Sequence, residues 1–120
     1  MANQQNGKMM DPIAQAKFEA RAKIIKALAH PTRLFLVDEL SRQERCVNEL
    51  TEKVGVDMST ISRHLALLKD AGIVKDEKRG SQVYYSLKMR CVLSFFGCVE
   101  TVMKSVAEEN LSLLEPNARK

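Results

Sequence analysis

Residues 46–72, CVNELTEKVGVDMSTISRHLALLKDAG, constrain this chain more than any other stretch. Val47, Leu50 and Val54 recur at helical spacing up to Gly55, which predicts a short helix over about 46–54. Beyond a tight turn, Ile61, Leu65 and Leu68 form a second apolar stripe, and Gly72 closes it. Asp57 or Ser59 can cap this second helix by accepting from its free backbone N–H groups. Its other side carries Ser59, Thr60, Ser62, Arg63 and His64. One face anchors in a core, and the other is polar, short-armed and basic. A helix of that make-up can lie in a DNA major groove.

The flanking segments extend the pattern. Pro12 suits a first helical turn, and Ile13, Ala16, Ala20, Ile24, Ala27 and Leu28 fall at helical spacing over 12–29. His30-Pro31 breaks this helix, and Pro31 starts a second one running to about Ser41. Leu34, Val37 and Leu40 are its expected inner stripe. After Gly72 the period changes. Ile73-Val74-Lys75 and Val83-Tyr84-Tyr85-Ser86-Leu87 read as strands, with Lys78-Arg79-Gly80-Ser81 as the tip of a hairpin. A hairpin after a helix-turn-helix is a wing. A last helix over about 91–110 carries Val92, Phe95, Phe96, Val99, Val102, Met103 and Val106 in three- and four-residue steps. That stripe suits a homodimer seam through the terminal helices; packing on its own domain is the plainer alternative.

The expected fold is mostly α with a β-hairpin wing: helix, helix, helix-turn-helix, hairpin, helix. Its expected limits are 12–112, with a disordered tail over 1–11 and a frayed tail over 113–120. At 120 residues the core is small, so a second subunit has apolar surface to cover. No apolar run approaches the ~18 residues of a membrane helix, and MANQQNGKMMDP has no apolar secretory segment. Cys46, Cys91 and Cys98 are an odd number, which points to reduced thiols in a cytoplasm rather than a disulfide framework.

Charge supports a nucleic-acid partner. The net charge is +4, and Asp57 to Arg90 holds seven Lys and Arg against four Asp and Glu. Enzyme chemistry finds no footing: there are no paired carboxylates in an apolar setting, no glycine-rich phosphate loop and no Cys–His pair. Asp38-Glu39 reads as a helix-surface pair. The rival class is a protein-interaction module using the terminal helices without binding DNA. Steep loss of DNA affinity with salt separates the two.

The segments ALAHPTRLFLVDEL, CVNELTEKVGVDMSTISRHLALLKDAGIV and KRGSQVYYSL resemble the ArsR/SmtB family of bacterial metal-responsive repressors. The resemblance covers about residues 20–90. It implies a winged-helix homodimer bound to double-stranded operator DNA and released by an effector, with no obligatory cofactor. Ser59, Thr60 and Ser62 can reach phosphates or base edges, and Arg63 can grip a guanine or a phosphate. His64 can donate to DNA or pack beside Leu65. Lys78 and Arg79 at the hairpin tip can touch the DNA backbone or minor groove, or remain a solvated turn. A two-fold dimer is expected to read an inverted repeat.

The effector is less constrained. The family's signature on the third helix is often ELCVCDL; here it is Glu44-Arg45-Cys46-Val47-Asn48-Glu49-Leu50, with Cys46 matching the first cysteine and Asn48 replacing the second. The zinc or cobalt ligand set of other members needs histidines on the last helix, and His30 and His64 lie elsewhere. Cys91 and Cys98 remain. Seven residues of unbroken helix would separate their α-carbons by roughly 10.5 Å. Two cysteines sharing one ion span only about 9 Å. Sharing therefore requires Cys91 to lie off the helix or the helix end to unwind. Three thiolates favour a soft ion. The resemblance puts As(III) or Sb(III) ahead of Cd(II) or Pb(II), held by Cys91 and Cys98 with Cys46 of either subunit as the third ligand. A disulfide or polysulfide redox sensor of the same fold is the alternative. Cys98 simply packing as a small hydrophobe is the blandest one.

Overall fold

A computed structural model describes residues 11–114. The expected tails fall outside them, apart from Asp11 and residues 113–114 at their margins. The element order is α1 (Pro12–Leu28), α2 (Pro31–Arg42), β1 (Arg45–Cys46), α3 (Val47–Val54), α4 (Met58–Asp70), β2 (Val74–Arg79), β3 (Gln82–Leu87) and α5 (Val92–Leu114). The chain divides into two units, one ending at Lys88 and one beginning at Met89. Among the described residues, no helix is long and apolar enough to cross a membrane.

In the first unit, caps set the helix starts. The Asp11 carboxylate accepts from Ala14 N–H at 2.7 Å, and Pro12 follows in the first turn, where a missing N–H costs nothing. His30 Nδ1 accepts from Thr32 N–H at 3.1 Å and opens α2 in the same way. Gly55 ends α3 at φ 83°, and Gly72 follows α4 at the same angle. An L side chain there is strained by its own backbone alone, because open space surrounds both glycines. Past Gly72, the Ile73 N–H returns to Leu68 C=O at 3.0 Å, which satisfies the end of α4 and aims the chain into β2.

The core is built from Leu36, Val37 and Leu40 of α2, Leu50 of α3, Ile61, Leu65 and Leu68 of α4, and Ile73, Val74 and Leu87 around the sheet. Each is worth about 1.5–3 kcal/mol of burial. The α2 stripe is rotated from the expected one: Leu34 is exposed and Leu36 takes the inner place. Packing against α1, α4 and β3 selects the face, and several leucines were available for it. Most of α1 stays uncovered. Only Ala27 and Leu28 are buried, whereas Ile13, Phe18 and Ile25 face outward.

The sheet is three-stranded and antiparallel in the order β1-β3-β2. Strand β1 was not expected from the sequence. Its Arg45 and Cys46 pair with Tyr85 and Tyr84, and this ties the start of α3 to the wing. Two residues carry too little pattern to announce a strand. The wing turn is Gly80-Ser81 with Gly80 at φ 62°, so Lys78 and Arg79 belong to β2 rather than to the turn.

Glu39 is a correction to the reading of Asp38-Glu39 as a surface pair. It is only 7% exposed. Its carboxylate meets Arg42 at 3.0 Å, Lys53 at 3.7 Å and Arg45 at 3.8 Å, and so joins α2, α3 and β1. Asp38 is the surface partner, 2.8 Å from Arg42.

The second unit is dominated by α5, which continues to Leu114, beyond the expected end near 110. Val92 is buried, whereas Phe95, Val99, Val102, Met103 and Val106 are exposed. Cys91 lies before the helix, where its C=O accepts from Ser94 N–H at 3.1 Å.

Candidate nucleic-acid interface

Helix α4 presents two unlike sides. Ile61, Leu65 and Leu68 are fully buried, and Ser59, Ser62 and Arg63 are exposed, with Thr60 half-buried between them. Asp57 fixes where the helix begins. Its carboxylate accepts from Thr60 N–H at 3.2 Å and from the Ser59 hydroxyl at 3.1 Å. These hydrogen bonds, from Thr60 first and then Ser59, hold its carboxyl below the usual aspartate range, with Arg63 adding to the effect. The polar face thus starts from a defined cap, and the Arg63 guanidinium projects from an anchored helix.

His64 is half-buried on α4. Its ring lies 4.6 Å from the His30 ring, tilted by 45°, and its Nδ1 is buried without a hydrogen-bond partner. The contact joins α4 to the start of α2. Burial is the main force lowering its pKa, with the nearby His30, Arg33 and Arg63 lowering it further. The sign of the consequence follows. With a depressed pKa in the folded state, the unfolded chain takes up this proton first, so the His64 contribution is neutral at high pH and destabilising below about pH 6.5. Urea midpoints at pH 8 and pH 5.5 are expected to differ, and His64→Leu is expected to shrink the gap. An unchanged gap in the variant would remove His64 as its source.

The wing tip divides its two expected contacts. Lys78 is exposed. Arg79 is engaged within the chain: Nη1 donates to Glu44 Oε1 at 2.6 Å, and Nη2 donates to Glu44 Oε2 at 3.0 Å and to Glu77 Oε1 at 2.8 Å. Its guanidinium also lies 4.7 Å from the centre of the Tyr84 ring. The hydrogen bond from Arg79 is the chief cause holding Glu44 below the usual carboxylate range, and the same pairing raises Arg79 above its ordinary value. The sequence assigns no such role to Glu44, Glu77 or Tyr84. Glu77 stands two residues from Arg79 on one strand face, which is a legible signal. Glu44 stands 35 residues away, which is not.

The cysteines are all free thiols; Cys46 is buried, and Cys91 and Cys98 are exposed. Cys46 precedes α3, and its N–H donates to the Glu49 carboxylate at 3.0 Å. Among the described residues, no group of three or more His, Cys, Asp or Glu side chains is gathered to hold a metal ion. Cys91 stands at the N-terminal edge of α5, where its C=O accepts from Ser94 N–H at 3.1 Å and from Phe95 N–H at 3.4 Å.

Two helices joined by a tight turn, with an anchored and outwardly polar second helix and a hairpin behind it, define a winged helix-turn-helix protein. Residues 30–76 match the family described as "Bacterial regulatory protein, arsR family". The chain is similar to the HTH-type transcriptional repressor SmtB of Mycobacterium tuberculosis, at 39% identity over 58% of this chain and 51% of that protein. It thus spans about half the length of that relative. It is similar to the arsenic resistance transcriptional regulator ArsR1 of Pseudomonas putida, at 36% identity over 79% of this chain and 72% of that one. Among solved structures, it is similar to a homodimeric winged helix-turn-helix DNA-binding domain from Mycobacterium bovis, described as a possible ArsR-family transcriptional regulator. The TM-score is 0.68 at 30% identity, covering 88% of this chain and 94% of that one. These relatives are transcriptional regulators, not enzymes. The chain belongs to the arsR family of bacterial regulatory proteins.

Proposed function

We propose that this protein is a transcriptional repressor that binds an inverted-repeat operator as a homodimer and is released when its thiolates capture a thiophilic metalloid, As(III) or Sb(III). The observation that carries the DNA half is α4. Its apolar side is wholly buried, while Ser59, Ser62 and Arg63 stand exposed beside a capped N-terminus. Ser59, Thr60, Ser62 and Arg63 form the groove-facing set, and Lys78 contacts phosphate from the wing. His64 acts behind them, through packing. The dimer half rests on uncovered apolar surface: Ile13 is 73% exposed on α1, and Val102 and Met103 are each 61% exposed on α5. Surface of that kind on both terminal helices suits a second copy of the chain. The homodimeric relative from Mycobacterium bovis agrees with this reading.

For the effector, Cys91 and Cys98 are the exposed thiols and form the core of the proposed site. Soft thiolate donors suit As(III) and Sb(III), then Cd(II) or Pb(II). A third ligand comes from Cys46 of either subunit. Recruiting it requires β1 to open, because Cys46 is buried and paired with Tyr84. That opening would disturb the wing directly, which links capture to release.

The test is an operator-release assay on the purified full chain with arsenite, antimonite, cadmium, zinc and polysulfide, repeated with each cysteine replaced by serine. Arsenite is expected to release the wild type, and Cys91→Ser or Cys98→Ser to abolish release. Operator occupancy unchanged by arsenite with all cysteines intact overturns the metalloid reading. Release by polysulfide alone establishes the thiol-redox alternative. Operator affinity is also expected to fall linearly with salt on a log–log plot; salt-insensitive or absent binding favours a protein-interaction module.

A further inference from the structure

The wing's outer face is an electrically closed surface. Cross-strand partners share a face, so Lys75, Glu77 and Arg79 of β2 lie with Ser86, Tyr84 and Gln82 of β3. Lys78 lies with Val83 on the opposite face, the one that buries Val74, Tyr85 and Leu87. Glu44 reaches the outer face from the link before β1. Two carboxylates there match two cations, and the Arg79 fork is committed to Glu44 and Glu77 while its plane covers Tyr84. A phosphate approaching Arg79 meets donors already in use and the charge of Glu44 beside them.

We propose that Glu44 sets operator affinity by holding the wing's Arg79 in an intramolecular clamp that a DNA phosphate must displace. This rests on the DNA-binding reading above. Exchange is feasible because the pairing is solvent-exposed, at 42% for the Arg79 side chain and 44% for that of Glu44, and exposed ion pairs are weak. A phosphate offers the guanidinium the same two-pronged acceptor geometry as a carboxylate. Displacing Glu44 therefore exchanges like for like, and the new phosphate pairing contributes less by the strength of the carboxylate pairing it replaces. Glu44 lies two residues before Cys46, so the clamp is anchored beside the strand that holds α3 to the wing.

The experiment measures affinity against salt for wild type, Glu44→Gln, Arg79→Gln and the double variant. The probe is a duplex selected from random sequence by the wild-type protein. Glu44→Gln is expected to bind about three- to tenfold tighter, because the phosphate no longer displaces a carboxylate from Arg79. In the Arg79→Gln background the same change is expected to tighten binding less than about twofold. Three results overturn the clamp: unchanged affinity in Glu44→Gln, weaker binding, or a tightening of twofold or more that persists without Arg79. The last would mean simple charge repulsion. If the wild type binds no duplex, the DNA-binding reading itself fails and the clamp falls with it.

Discussion

Arg63→Ala is expected to lower operator affinity by roughly tenfold to a hundredfold, a loss of about 1–3 kcal/mol, while leaving the fold intact. The side chain is exposed on the polar side of α4. Its removal therefore costs recognition rather than stability. The pattern of loss discriminates between its possible partners. If Arg63 grips a guanine edge, the loss concentrates on the preferred sequence, and binding to unrelated DNA changes little. If it clamps a phosphate, affinity falls alike on all sequences and the salt slope drops by about one. Titration of the variant against the selected duplex and a scrambled one, at two salt concentrations, reads both. Wild-type affinity on both duplexes would remove α4 as the reading helix.

Leu65→Ala has the largest expected effect on stability, a loss of about 2–5 kcal/mol. Leu65 is 0% exposed and sits on the side of α4 that packs against α2 and α3. Against a typical total of about 5–15 kcal/mol, this leaves a marginal protein. With a urea dependence of about 1–3 kcal/mol per molar, the unfolding midpoint is expected to fall by a molar or more, measured at fixed protein concentration because assembly contributes. The control lies two residues along the same helix. Leu67 is 46% exposed, and Leu67→Ala is expected to shift the midpoint little. Equal shifts for the two would contradict the burial pattern of α4. Because the buried stripe sets the pitch of the exposed one, Leu65→Ala is also expected to weaken DNA binding, through loss of the folded population.

The helix-turn-helix was legible because its signals are local. Ile61, Leu65 and Leu68 keep one period, Asp57 offers a cap three residues before the Thr60 N–H it accepts from, and Gly55 and Gly72 stand where the backbone turns to positive φ. The hairpin was legible for the same reason, with strands of alternate facing separated by a glycine turn. Misreadings arose where several residues competed for one role. Leu34 and Leu36 are both leucines on α2, and the neighbouring helices selected Leu36 for the core. For His64 the residues alone name DNA contact or packing beside Leu65, and they do not name the His30 ring that lies 4.6 Å away. Glu39 looked like any surface acid, yet three cations converge on it, two of them from other elements.

By themselves, the residues of this chain determine its helices and its hairpin, their order, and the division of α4 into an apolar anchoring side and a polar exposed one. Those follow from period, cap and turn chemistry, which act over a few residues and need no knowledge of the rest of the molecule. Tertiary structure alone decides that Arg79 is held by Glu44 across 35 residues and that Cys46 pairs with the wing. Such facts depend on which surfaces meet once the apolar stripes are buried. A guanidinium pairs with whichever carboxylate packing brings within about 3 Å, however distant it is in sequence.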